Sequence, residues 1–122
     1  MILAGMGEFT LSESRRERAG KSVRVLKIAG DLDAHTFPLL QSRLEKLIAE
    51  GDRSIVLDCA DLSYMSSAGL GVLKKMVKEI RTSGGDIRLA QLSDKIHNIV
   101  NLLGFSKIIQ VFPNLDEAAS SF

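Results

Sequence analysis

Ile55, Val56, Leu57, Asp58 and Cys59 form a nearly unbroken apolar run, and soon after it the chain reads Tyr64, Met65, Ser66, Ser67, Ala68, Gly69, Leu70, Gly71. A short run that is apolar at successive positions predicts a central strand covered on both faces. The small residues that follow open a helix over 68–82, on which Leu70, Leu73, Val77 and Ile80 share one side, and Gly84 and Gly85 release the chain. A strand that feeds a helix through a tight turn is the repeating unit of a parallel, layered α/β sheet.

Working towards the N-terminus, residues 23–29 are β-branched or aliphatic at most positions and predict a strand that ends at Gly30. Gly30, Asp31, Leu32 and Asp33 then form a loop before a helix announced by Thr36 as its cap and Pro38 in its first turn. Phe37, Leu40, Leu44, Leu47 and Ile48 fall on one side of that helix, and Gly51 ends it. Phe9 and Leu11 suggest a first strand, but Glu13 occupies the next position on their face, so the apolar alternation is shallow. Residues 13–22 are mostly polar, contain Gly20, and read as an exposed hairpin turn in which Glu13 and Glu17 interleave with Arg15, Arg16 and Arg18.

Towards the C-terminus, 87–90 make a short strand, and Ser93 caps a helix through Leu103 on which Ile96, Val100 and Leu103 repeat before Gly104. Residues 108–112 read as the last strand. Asn114 with Glu117 makes a capping-box-like start for a terminal helix edged by Leu115, Ala118, Ala119 and Phe122. The expected fold is α/β, with a mostly parallel central sheet, a mixed N-terminal edge and about four helices.

The 122 residues fit one domain, and a 45% hydrophobic content with five Phe, one Tyr and no Trp requires a core of Leu, Ile, Val and Met. Sixteen Lys and Arg against fifteen Asp and Glu give a net charge of +1, without the basic surplus that phosphate-backbone contacts need, so direct nucleic-acid binding is not expected. The lone Cys59 reads as buried filler, which suits a reducing cytoplasm. Residues 1–7 are apolar, but Glu8 interrupts them well short of a membrane span or signal peptide, so they read as a flexible extension ahead of a domain over 8–122, with no stable membrane insertion.

The turn from Ser66 to Gly71 sits where α/β proteins carry their sites, and a serine hydroxyl there lies near unpaired helix N–H groups. A phosphate would gain from those donors and would place about two negative charges on a surface suited to close contact. Ser66 or Ser67 can equally be the helix N-cap, and the two roles are compatible. A nucleophilic serine is disfavoured, because no Gly-x-Ser-x-Gly elbow is present and neither His35 nor His97 has a placed role as base. Gly69 and Gly71 lack the Lys-Ser or Lys-Thr and the third glycine of phosphate-binding fingerprints. Asp31 and Asp33 can both reach one edge, but no ligand at supporting spacing completes a metal shell. They read instead as turn structure and an acidic rim for a basic partner surface.

Together these two loops resemble those of the STAS domain, and specifically the stand-alone anti-sigma factor antagonists, a likeness that covers 8–122. The family's Gly-acidic-aliphatic-Asp turn is matched by Gly30, Asp31, Leu32 and Asp33, and its Asp-Ser-Ser/Thr-Gly-Leu-Gly motif by the stretch from Ser66 to Gly71. Ser67 then aligns with the phosphorylated serine, Ala68 with the small residue after it, and Gly69, Leu70 and Gly71 with the rest; Ser66 departs from the usual Asp. The resemblance implies partner switching without cofactor, metal or catalysis. The unphosphorylated antagonist binds an anti-sigma factor that is also a serine kinase, phosphorylation breaks the complex, and a PP2C-like phosphatase restores it. On this reading Asp31, Asp33, His35, Ser66, Ser67, Ala68, Gly69 and Leu70 form the partner surface, Ser67 is the acceptor and Ser66 a second candidate. Related STAS domains serve as scaffold or adaptor subunits in stressosome-like and membrane-associated complexes, which is the alternative. A sheet edge or an apolar helix leaves room for a weak homodimer.

Overall fold

A computed structural model describes residues 9–18 and 20–122, and the first elements among them are the strands β1 (Thr10–Arg18) and β2 (Lys21–Leu32). The extension expected over 1–7 lies outside the described residues. There follow α1 (Phe37–Ala49), β3 (Ser54–Met65), α2 (Ser67–Thr82), β4 (Asp86–Ala90), α3 (Asp94–Leu102), a 3-10 turn over Phe105–Lys107, β5 (Val111–Phe112) and α4 (Leu115–Ser120). The strands lie in the order β1-β2-β3-β4-β5; β1 runs antiparallel to β2, and every later neighbour is parallel. The α/β class, the mixed N-terminal edge and the four helices are as expected.

The apolar run at 55–59 is explained by its position in the middle of the sheet. Successive side chains on a strand point to opposite faces. Ile55 and Leu57 join Leu26, Ile28, Ile87 and Leu89 under Leu40, Leu44 and Leu47 of α1, Leu73, Val77 and Ile80 of α2, and Ile96 and Val100 of α3. Val56 faces the other way, where it meets Val23, Ala90, and Ala118 and Ala119 of α4. One face of the sheet thus carries three helices and the other a single short one. Cys59 is fully buried, and burial raises its thiol pKa and keeps it protonated.

Several boundaries differ from the sequence reading. The hairpin expected over 13–22 is present, but strand fills most of it: β1 continues to Arg18, and the register ends with Arg18 opposite Lys21. A ladder is made by backbone groups, and at a sheet edge polar side chains do not interrupt it. Here they reinforce it: Glu13 pairs with Arg43 of α1 and with Arg24 of β2, and Arg16 with Asp116 of α4. β2 does not stop at Gly30. Gly30 adopts a left-handed φ of 98° beside a register irregularity, and the strand resumes through Leu32. β3 likewise extends to Met65, well past Cys59.

At the C-terminal end, 108–112 is strand only at Val111 and Phe112. Phe105 and Ile109 are buried from an irregular turn, so the apolar run there marks burial rather than a ladder, an ambiguity that short runs carry. Asn114 caps α4 as expected, its side chain accepting the Glu117 N–H at 2.9 Å while its amide donates to the Glu117 carboxylate at 2.9 Å.

Candidate functional site

The long parallel pairing of β2 with β3 brings the two loops singled out in the sequence together. Asp31 lies opposite Tyr64, and Leu32 opposite Met65. The Ser66 N–H donates to the Leu32 carbonyl at 2.9 Å, so the chain enters α2 directly beside the end of β2. Gly69 closes the joint from the helix side, since a Cβ there would come within 3.1 Å of both the Leu32 carbonyl oxygen and its Cγ. Glycine is favoured here by close approach rather than by φ, since any Cβ would press on Leu32.

Within the first loop, Asp33 organises the backbone. Its Oδ1 accepts the N–H groups of His35 at 2.9 Å and Thr36 at 3.2 Å. The Thr36 hydroxyl donates to the Asp31 carbonyl at 2.6 Å and accepts the Asp33 N–H at 2.9 Å. Thr36 therefore stands at the N-cap position of α1 but makes no side-chain cap bond, contrary to the simple cap expected of it, because its hydroxyl is engaged in the turn. The donated bonds, the His35 N–H foremost and then the N–H and hydroxyl of Thr36, hold the Asp33 carboxyl below its ordinary pKa against the opposing effect of burial.

Between Met65 and Gly71 the hydroxyl roles separate. Ser66 has extended backbone (φ −85°, ψ 164°), and its Oγ accepts the Gly69 N–H at 3.1 Å, so it is the N-cap of the 16-residue α2. Ser67 is the first residue of the helix, one earlier than expected, and is exposed; its hydroxyl has no hydrogen-bond partner among the described residues. The N–H groups of Ser67 and Ala68 precede the first residues that can find a carbonyl within the helix. The site thus presents a free hydroxyl beside open donors at the positive end of a long helix dipole.

A family model, the STAS domain, matches residues 17–118, most of the chain. The chain belongs to the STAS domain family. It is 34% identical to the anti-sigma-B factor antagonist of Bacillus subtilis (strain 168) over 87 residues, 70% of this chain and 78% of that one. Among solved structures, an anti-sigma factor antagonist from Mycobacterium paratuberculosis superposes with a TM-score of 0.76 at 20% identity, covering 92% of this chain and 93% of that chain. The Bacillus antagonist SpoIIAA, solved unphosphorylated, superposes at 0.68 with 22% identity over 93% of this chain and 96% of its own. In its phosphorylated form the values are 0.66 and 22%, over 93% of this chain and 98% of its own.

Within this STAS domain the departure at Ser66 has a local explanation. Ser and Asp are both strong N-caps, so position 66 keeps its structural work while losing a carboxylate next to Ser67. The residues expected on the partner surface fall into two groups. Asp31 and Asp33 are half-buried at the rim, and His35, Ser67 and Ala68 are exposed, with Ser66 half-buried between them. Gly69 and Leu70 are buried, Leu70 to 4%, so they brace the helix start from inside rather than offer side-chain surface. Asp33 spends one carboxylate oxygen on its own turn. His97 is exposed on α3, and among the described residues no group of three or more His, Cys, Asp or Glu is placed to hold a metal ion.

Sequence reading missed two contributors. Tyr64 is 41% exposed beside Asp31, and Lys95 from the first turn of α3 lies over its ring at 5.8 Å from the centroid. No motif marks this pair, since only the fold brings α3 to β3. Thr36 was visible as a cap, but its bond to the Asp31 carbonyl depends on how the strand ends. Among the described residues no helix is long and apolar enough to cross a membrane.

Proposed function

We propose that this STAS domain is a cytoplasmic anti-sigma factor antagonist that binds an anti-sigma factor with serine kinase activity and is released when that kinase phosphorylates Ser67. The observation that carries the reading is the division of labour at the start of α2. Ser66 makes the cap bond, so the neighbouring Ser67 hydroxyl stays exposed and unbonded. A phosphoryl group placed there meets free N–H donors and the helix dipole, which stabilise it without unfolding the helix. It also adds about two negative charges to a surface of small residues that permits close approach, and a partner fitted to the uncharged surface is expelled by desolvation and repulsion. The similarity to an antagonist of anti-sigma-B factor and the shared fold of SpoIIAA, itself solved with and without phosphate, support the same reading. A PP2C-like phosphatase would return the protein to its binding form.

Incubation with the cognate kinase and ATP should label the protein at Ser67 alone, and Ser67→Ala should remain unlabelled. Labelling of that variant at the parental rate would move the acceptor to Ser66 or elsewhere. Ser67→Asp should weaken the kinase complex by calorimetry while its thermal unfolding stays unchanged; undiminished affinity would favour a scaffold role in which the two serines only shape the helix start.

A further inference from the structure

We infer that the exposed face of α2 that begins at Ser67 is a docking ridge for an acidic protein surface, held by Lys74, Lys75 and Lys78. This rests on the reading of Ser67 as the switch and names the chemistry of the partner that the switch dismisses. With about 100° of turn per residue, Ser67, Gly71, Lys74, Lys75 and Lys78 fall within one side of the helix. All five are exposed, and Gly71 with the three lysines lines an open depression of about 300 Å³. Among the described residues none of the three lysines has an ion-pair partner. Glu79, the one acidic residue of α2, follows Lys75 by four positions and makes no ion pair with it. Elsewhere Arg15, Arg16, Arg24, Lys27, Arg43, Arg81 and Arg88 are paired with carboxylates, and the other cations without an ion pair among the described residues, Lys21, Lys46, Arg53, Lys95 and Lys107, are spread over different elements rather than gathered on one helix face.

Three unpaired ammonium groups on a rigid helix suit an acidic protein surface better than the other polyanions. Nucleic acid at physiological salt calls for several more phosphate contacts than three lysines supply, and the whole chain carries only +1. A membrane surface rewards apolar side chains beside the basic ones. Among the described residues the exposed large hydrophobics are Leu39, Tyr64, Leu102 and Leu103, none of them on α2. An acidic partner also explains why phosphate at the head of the ridge is effective. A phosphoserine brings a charge of about −1.5 to −2 against the +3 of the lysines. From Ser67 to Lys74 the helix rises about 10 Å, close to one screening length in physiological salt, so the phosphate repels the partner and weakens the nearer lysines together.

The full chain, isotopically labelled, should be titrated at low salt with poly-L-glutamate of about 20 residues while amide shifts are followed. Shifts are expected at Gly71, Lys74, Lys75 and Lys78, and should fade as salt is added. The triple variant K74Q/K75Q/K78Q should bind about tenfold more weakly with unchanged thermal unfolding, and Ser67→Glu should bind more weakly than the parent. Equal binding by the triple variant, or shifts centred on Lys21, Lys46 or Lys107, would overturn the proposal. So would tighter binding to phosphatidylglycerol vesicles or duplex DNA than to polyglutamate. The ridge and the switch fail separately: an unlabelled Ser67 with an intact lysine footprint removes the switch alone, and a labelled Ser67 with no footprint removes the ridge alone.

Discussion

The two loops that meet at the end of β2 and β3 are built on opposite plans. In the turn from Asp31 to Thr36, a carboxylate, a hydroxyl and three backbone N–H groups bond one another. At the start of α2, Ser66 alone takes the capping role and Ser67 beside it is left open to solvent. The first arrangement is a frame whose polar groups are already committed. The second is a place where a covalent change can be made without dismantling the helix. A switch needs both, since a modification is read by a partner only if the surface around it stays fixed.

Breaking the joint between the two loops should have the largest effect. Gly69→Val adds branched atoms where even a Cβ approaches the Leu32 backbone at 3.1 Å, and should cost about 1–3 kcal/mol in denaturant unfolding. Gly71 is the control, because a Cβ there meets nothing within 4 Å, and Gly71→Ala should stabilise by about 0.5–1 kcal/mol. If both substitutions gave the same sign, the contact with Leu32 would not be what holds the loops together.

A smaller effect should separate the serines. Ser66→Ala removes the bond to the Gly69 N–H and should lose about 1 kcal/mol, whereas Ser67→Ala should leave stability nearly unchanged. Equal losses would mean that the cap is shared.

The smallest effect should come from Asp33 and should appear only in acid. Its folded pKa lies below the ordinary value, so its stabilisation is complete above the unfolded value of about 3.9 and is lost as pH falls through the lowered folded one. Asp33→Asn should therefore flatten the acid limb of the stability profile and slightly lower stability at neutral pH. An acid limb identical to that of the parent would show that the turn does not depend on the charge.

Legibility in the sequence followed how local each feature is. The run at 55–59 announced its strand because both faces of the sheet are covered there, and α1, α2 and α3 showed their apolar sides at helical spacing. β1 was hidden. Its charged side chains find partners on α1, β2 and α4, and the backbone pairing that makes it a strand is independent of side-chain polarity. The last strand was overread for the converse reason: Ile109 is apolar because it is buried, not because it is paired along a strand.

Motif and spacing were sufficient to establish the alternation of strands and helices, the small residues around Ser67 and the kinship of the two loops, because each is written within a few consecutive positions. Which hydroxyl caps α2, how Gly69 seats against Leu32, and the company of Tyr64, Asp31 and Lys95 emerged from the folded chain alone. Those features depend on the register between β2 and β3 and on where the helices land. That register is a cooperative outcome of burying both faces of the sheet, and no short segment encodes it.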